Sequence, residues 1–208
     1  MPDPQPLHKT HITAERPPFE RIALVLQGGG ALGAYQGGVY QALAEANLHP
    51  DWVAGISIGA INSALIVGNP PEKRVERLRE FWEIVSESPL GVPYFPWLKL
   101  EDEFAHRIVN QLRSLSILLF GAPGFFKLRQ PSPFLYPSMS LAAMSFYDAT
   151  PIQATLARLV DFDLINSGAT RFSVGAVNVR SGNFVCFDNT TQQIGPEHVM
   201  ASGSLPSG

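Results

Sequence analysis

Two glycine-containing motifs stand close together near the start of this chain of 208 residues. Gly28-Gly-Gly-Ala-Leu-Gly33 fits the pattern G-x-G-x-x-G, and Gly55-Ile-Ser-Ile-Gly59 fits the pattern G-x-S-x-G. The first pattern lets the backbone approach a phosphate or an oxyanion closely, and the second places a serine on a sharp turn as a candidate nucleophile. The two motifs therefore indicate either dinucleotide binding or attack on an ester.

The order of the residues around the second motif separates these two possibilities. A dinucleotide site has an acidic residue after its second strand, about 20 residues beyond the glycines. Asp51 has roughly this spacing, but it precedes the run that predicts the second strand, and Ser57 follows that run. We therefore expect Ser57 to be a nucleophile, with N–H groups of the glycine loop and of Ile58 as oxyanion donors. A nucleotide-binding α/β domain remains an alternative, as does a loop that only packs helix on strand.

Each motif follows a short apolar run that predicts a buried strand. The first strand is expected over 22–26 and the second over 52–56, and helices are expected over 33–46 and 58–67. This alternation predicts an α/β fold with a parallel sheet, in which neighbouring strands carry both turns to the same sheet edge. Further along the chain, the patterns predict helices over 72–85, 101–118, 151–160 and 196–201, and a hairpin of strands over 172–179 and 184–187.

The composition excludes several functional classes. The formal net charge is −3 and 45% of the residues are hydrophobic, so no basic excess favours a nucleic-acid partner. The single cysteine, Cys186, excludes an internal disulfide framework. Because no cysteine and histidine cluster has the spacing of metal ligands, we expect no metal and no other cofactor.

Two segments differ in character from the predicted domain over 21–208. Residues 1–20 are polar and rich in proline, without the apolar core of a secretory signal, which predicts a flexible leader. The apolar runs of the chain are too short to span a bilayer, which favours a cytoplasmic protein. Prolines and aromatic side chains are concentrated in residues 89–141, and we expect this segment to form a lid or insertion. Peripheral contact of the protein with a membrane is left as an open alternative.

The blocks around both motifs resemble the patatin-like phospholipase family of the bacterial type. The stretch IALVLQGGGALGAYQGGVYQAL is similar to the oxyanion block of that family, and GISIGAINSALI is similar to its elbow block. The stretch MASGSLP is similar to the segment that precedes the catalytic aspartate of the family. The resemblance implies a three-layer α/β/α fold and a serine–aspartate dyad that hydrolyses phospholipids or other acyl-ester lipids.

Carried over by position, the resemblance implies roles for single residues. Ser57 corresponds to the nucleophile, and Gly28, Gly29 and Gly30 line the oxyanion hole. The family's aspartate lies in an Asp-Gly-Gly or Asp-Gly-Ala motif, and none of the seven aspartates of this chain precedes a glycine. We therefore expect the chain to be cut off before that motif, with the fold incomplete at its C-terminus.

Two residues are alternatives for a base within the chain. His198 has the late position that a serine–histidine order requires, although its neighbours favour a structural role, and Asp188 follows the predicted hairpin. A serine hydroxyl without any base is a poor nucleophile. A catalytically inactive lipid- or acyl-binding module is therefore the alternative function of a different class.

Overall fold

The computed structural model describes residues 18–86, 122, 124–128, 147–148 and 150–203. Most of the leader expected over 1–20 lies outside these residues. The same holds for most of the segment 89–141, including the helix expected over 101–118. The flexible leader and the lid therefore stay predictions.

A four-stranded sheet forms the centre of the described part of the chain. The described residues contain six strands in all. In chain order these are β1 (Ala23–Leu26), β2 (Trp52–Ile56), β3 (Lys127–Leu128), β4 (Tyr147–Asp148), β5 (Arg171–Val177) and β6 (Phe184–Asp188). The main sheet has the order β1-β2-β5-β6, while β3 and β4 form a separate antiparallel pair. The first three strands of the main sheet are parallel, and β6 returns antiparallel to β5 as the expected hairpin.

Six helices lie in the described part of the chain. They are α1 (Gly33–Glu45), α2 (Ile58–Val67), α3 (Pro71–Ser86), α4 (Thr150–Leu159), α5 (Phe162–Asn166) and α6 (Pro196–Gly203). Five of them lie within two residues of the expected bounds. The sequence patterns missed the five-residue α5, which Asp161 caps by accepting a hydrogen bond from the N–H of Leu164 at 3.0 Å. None of the helices described here has the length and apolar character needed to cross a membrane.

Helix α2 occupies the middle of the hydrophobic core. All ten of its residues are buried, as expected of a helix that is apolar on every side. It packs on β1, β2 and β5 and also contacts α1, α3 and α6. Val53, Phe172 and Val174 of the strands are fully buried beside it. The predicted α/β fold with a mainly parallel sheet is confirmed. Because α2 is buried along its whole length, packing in the core determines the position of its first residues.

Candidate active site

The turn between β2 and α2 has the backbone geometry of a sharp elbow. Ser57 has a φ of 57° and a ψ of −127°, a conformation that residues with a Cβ rarely adopt. A Cβ added at Gly55 would collide with the carbonyl oxygen of Gly59, and one added at Gly59 would collide with that of Leu26. Both motif glycines are therefore required by close contacts between backbone segments, and Ser57 stands at the turn between them.

The glycine loop lies directly beside this turn. Gly29 and Gly30 both have positive φ values, of 148° and 56°, and the loop continues as a 3-10 turn into α1. A Cβ added at Gly28 would lie 3.1 Å from the Cβ of Ser57 and 3.7 Å from its Oγ. Because β1 and β2 are parallel with Leu26 opposite Gly55, both turns emerge at the same sheet edge. The fold thus brings the two motifs into contact, as the spacing predicted.

Three backbone N–H groups of the glycine loop and of the start of α2 lack a hydrogen-bond partner in the described residues. Ile58 is the first residue of α2, and the first N–H groups of a helix have no partner inside it. Within the residues that the structure describes, the N–H groups of Gly29, Gly30 and Ile58 donate no hydrogen bond. The N-terminus of α2, which is the positive end of its helix dipole, lies at this same turn and favours a negative charge there. Their role as oxyanion donors stays a prediction.

A buried side-chain network holds the glycine loop against the helices. Asn62 of α2 is fully buried and donates hydrogen bonds to the carbonyl of Gly33 and to Oε1 of Gln36, each at 2.9 Å. The indole N–H of Trp82 donates to Oδ1 of Asn62 at 3.1 Å. Gln36 in turn donates to the carbonyl of Gln27 at 2.7 Å. The network therefore ties both ends of the loop to α2 and α3.

A second contact reaches the elbow from the far end of the chain. The N–H of Ser57 donates a hydrogen bond of 2.8 Å to Oγ of Ser202 in α6. The hydroxyl of Ser202 donates to the carbonyl of Gly175 near the end of β5. The sequence had indicated neither Ser202 nor Asn62, although a polar residue in the middle of an apolar helix is a signal for a buried network.

Asp188 is surrounded by hydrogen-bond donors on a different part of the sheet. Its carboxylate accepts from Arg171 Nε at 2.9 Å, from Ser173 Oγ at 2.6 Å and from the N–H of Thr190 at 3.0 Å. Burial by itself raises the pKa of Asp188, but the hydrogen bonds outweigh it and hold that pKa at about 2. Such a carboxylate is a weak base.

The register also separates Asp188 from the elbow. Asp188 pairs with Ser173, which pairs with Ala54, three residues before Ser57. At about 3.3 Å per residue, this offset is roughly 10 Å along the strand. The structure therefore gives no support to Asp188 as the base for Ser57.

His198 makes local contacts in the first turn of α6. Its Nδ1 accepts a hydrogen bond from the N–H of Gly195 at 3.0 Å and lies 3.2 Å from Oε1 of Glu197. The ring packs edge-on against Phe187, with 4.7 Å between the centroids. These contacts agree with the structural role that its neighbours in the sequence favoured.

A metal site and a surface cavity are two other places in the described ranges where a ligand could bind. Within those ranges, no group of three or more His, Cys, Asp or Glu side chains could hold a metal ion. A surface cavity of about 450 Å³ lies at the other end of α1, and its lining residues are Gln41, Ala44, Glu45, His49, Pro71, Glu72 and Val75. Ser57 does not line that cavity.

Comparison with known proteins identifies the family. A family model described as patatin-like phospholipase matches residues 24–208. The chain belongs to the patatin-like phospholipase family. The matched range contains the glycine loop, the elbow and α6, and it confirms the resemblance seen in the sequence.

Two curated relatives match shorter stretches of this patatin-like chain. A Caenorhabditis elegans protein named for a patatin-like phospholipase domain is 39% identical over 61 residues, which are 29% of this chain and 6% of that protein. Lysophospholipase nte1 of Aspergillus terreus is 39% identical over 72 residues, or 28% of this chain and 5% of that enzyme. The chain therefore spans a small share of the length of the curated relatives that it matches. Among solved structures, VipD from Legionella pneumophila is similar with a TM-score of 0.40 and 17% identity, over 88% of this chain and 42% of that chain.

Proposed function

We propose that this patatin-like chain is a lipid acyl hydrolase in which Ser57 is the nucleophile. The observation that carries the proposal is the strained Ser57 at the start of buried α2, with Gly28 of the glycine loop so near that a Cβ added there would lie 3.1 Å from the Cβ of Ser57. The glycine loop and the first residue of α2 also carry N–H groups that make no hydrogen bond in the described residues, which supports the proposal. Family membership supports the same reaction class.

The proposed reaction begins with attack by the Ser57 Oγ on an ester carbonyl. As the carbonyl becomes tetrahedral, its oxygen gains negative charge, which the N–H groups of Gly29, Gly30 and Ile58 would stabilise. The C–O bond to the alcohol then breaks and leaves an acyl-serine, which water hydrolyses in a second step. Losing one such donor typically costs about 3 kcal/mol of transition-state stabilisation, or about 10²–10³ in rate.

The serine proton must pass to a base in this mechanism. The resemblance assigns this role to an aspartate followed by glycine, a pair that this chain does not contain. Asp188 and His198 are both engaged in local contacts. We therefore propose that the base is an aspartate of the family's Asp-Gly motif rather than a group in the described residues.

Phospholipids or other acyl-ester lipids are the proposed substrates. The names of the family and of the Aspergillus terreus relative support this class. Peripheral contact with a lipid surface belongs to the same proposal, because such substrates reside in membranes or micelles. A lipid-binding module without turnover is the second candidate, favoured by the lack of an Asp-Gly pair in these residues.

The experiment that tests the proposal is covalent labelling of the full-length protein with a fluorophosphonate, followed by peptide mass mapping. Labelling at Ser57 and hydrolysis of short p-nitrophenyl esters are expected, and Ser57→Ala should abolish both. Ser63→Ala is the control, since Ser63 bonds only the Gly59 carbonyl of its own helix. Labelling elsewhere, or ester turnover by Ser57→Ala within tenfold of the parent, would exclude Ser57 as the nucleophile. Lipid binding without labelling would favour the binding module.

A further inference from the structure

The elbow is held by a hydroxyl group from a distant part of the chain. We infer that Ser202 is a positioning residue that keeps Ser57 in its strained backbone conformation. Ser202 accepts the hydrogen bond from the Ser57 N–H at 2.8 Å and donates its own proton to the carbonyl of Gly175. The catalytic part of this inference rests on the proposed function of Ser57.

The need for such an anchor follows from the backbone of Ser57. A non-glycine residue with positive φ persists only where surrounding groups fix it. Asn47 is the other such residue in the described ranges, but it follows the end of α1, where asparagine tolerates this conformation. Ser57 has no such intrinsic tolerance. Its N–H bond to Ser202 and its place at the start of α2 are therefore what hold it.

In this geometry the Ser202 hydroxyl can interact with the elbow only as a hydrogen-bond acceptor. Its proton is committed to Gly175, so the oxygen can only accept from Ser57. Gly175 pairs with Ile56, the residue just before Ser57, so the bridge closes over the ends of two neighbouring strands. Because the N–H of Ser57 is used in this bridge, the oxyanion donors are left to the glycine loop and Ile58.

Removing the hydroxyl should act on turnover more than on substrate binding. Ser202→Ala leaves the Ser57 N–H and the Gly175 carbonyl without their partner and lets the turn relax. The Oγ of Ser57 then departs from the line of attack, and displacements of this kind lower the rate steeply. In the described residues the Ser202 side chain forms hydrogen bonds with the Ser57 N–H and the Gly175 carbonyl and none with the Ser57 Oγ or the glycine loop, so KM should change little.

The catalytic test uses the full-length protein and p-nitrophenyl esters. Ser202→Ala is expected to lower kcat and the rate of fluorophosphonate labelling at least tenfold, with KM within about twofold. Ser202→Thr keeps the oxygen and should recover most of both rates. Thr155→Val is the matched control, because it removes a buried hydroxyl that joins α4 to the Gly124 carbonyl and belongs to neither the glycine loop, the elbow nor α6. Unchanged kcat in Ser202→Ala would overturn the inference.

A stability cycle separates this inference from the proposed function. Glycine accepts the conformation of Ser57 without strain, so a Ser57→Gly background has no strain to release. Ser202→Ala should therefore lower the melting temperature more in that background than in the parent, where relaxation of the strained turn offsets part of the loss. Equal losses in the two backgrounds would overturn the positioning role. If the parent shows no labelling at Ser57 but the losses differ, the proposed reaction fails while Ser202 still holds the elbow.

Discussion

At the scale of single residues, the candidate site depends on backbone positions that exclude side chains. Gly55 and Gly59 are the strictest cases, because a Cβ there would collide with the backbone. A Cβ at Gly28 would lie 3.1 Å from the Cβ of Ser57 and would press on that side chain. The sequence patterns predicted that this loop lies at the same sheet edge as Ser57, and the structure places Gly28 next to the Ser57 side chain.

Gly28→Ala should therefore harm chemistry more than folding. The added methyl group would push against Ser57 and shift the Oγ by a few tenths of an ångström, which we expect to lower kcat/KM for esters at least tenfold. The measurement is ester turnover beside the urea midpoint, which should move by the equivalent of about 1 kcal/mol or less. Gly38→Ala is the control, since a Cβ there meets open space on α1. Equal activity in both variants would remove Gly28 from the site.

At the scale of elements, the buried side chain of Asn62 joins the glycine loop to three helices. Asn62→Ala leaves the Gly33 carbonyl and the Trp82 N–H without their partner, and each such buried group costs about 1–3 kcal/mol. We expect denaturant unfolding to show a loss of about 2–3 kcal/mol, and ester turnover to fall because the loop is released.

Asn166→Ala is the control that separates the loss of stability in Asn62→Ala from its loss of ester turnover. Asn166 also makes several hydrogen bonds, to Phe162 and Ile194, but it lies on α5 outside the candidate site. It should lower stability by a similar amount while leaving kcat/KM unchanged. If turnover falls equally in both variants, the effect of Asn62 on activity is only a consequence of lost stability.

Strands β2, β5 and β6 meet at the cluster around Asp188. The pKa of this carboxyl lies below its ordinary value of 3.8, at about 2, so its ionised form is favoured by folding. The resulting stabilisation, about 2 kcal/mol, is present above pH 4 and is lost as the pH falls toward 2. Asp188→Asn should remove this amount near neutral pH and flatten the unfolding free energy between about pH 4 and 2. Asp163→Asn, at an exposed site on α5, should keep the slope of the parent.

Local sequence patterns predicted most of the elements but few of their contacts. The strands beside both motifs and the helices α1 to α4 and α6 follow from apolar runs and periodicity. The five-residue α5 was not predicted, because so short a helix gives too little periodicity to detect in a sequence. Ser202 lies 145 residues from Ser57 in the chain, and no spacing rule relates side chains that only tertiary packing brings together.

At the scale of the whole molecule, the last prediction concerns a polypeptide limited to residues 1–208. It contains Ser57, the glycine loop and Ser202, but no aspartate followed by glycine. Oxyanion donors and binding without the base leave about 10³-fold acceleration over water, which a steady-state ester assay does not detect. Appending the Asp-Gly segment of a family member should restore turnover, and Ser57→Ala in that longer protein should abolish it again. Ordinary enzymatic rates from residues 1–208 alone would contradict the proposed base and direct attention to Asp188 or His198.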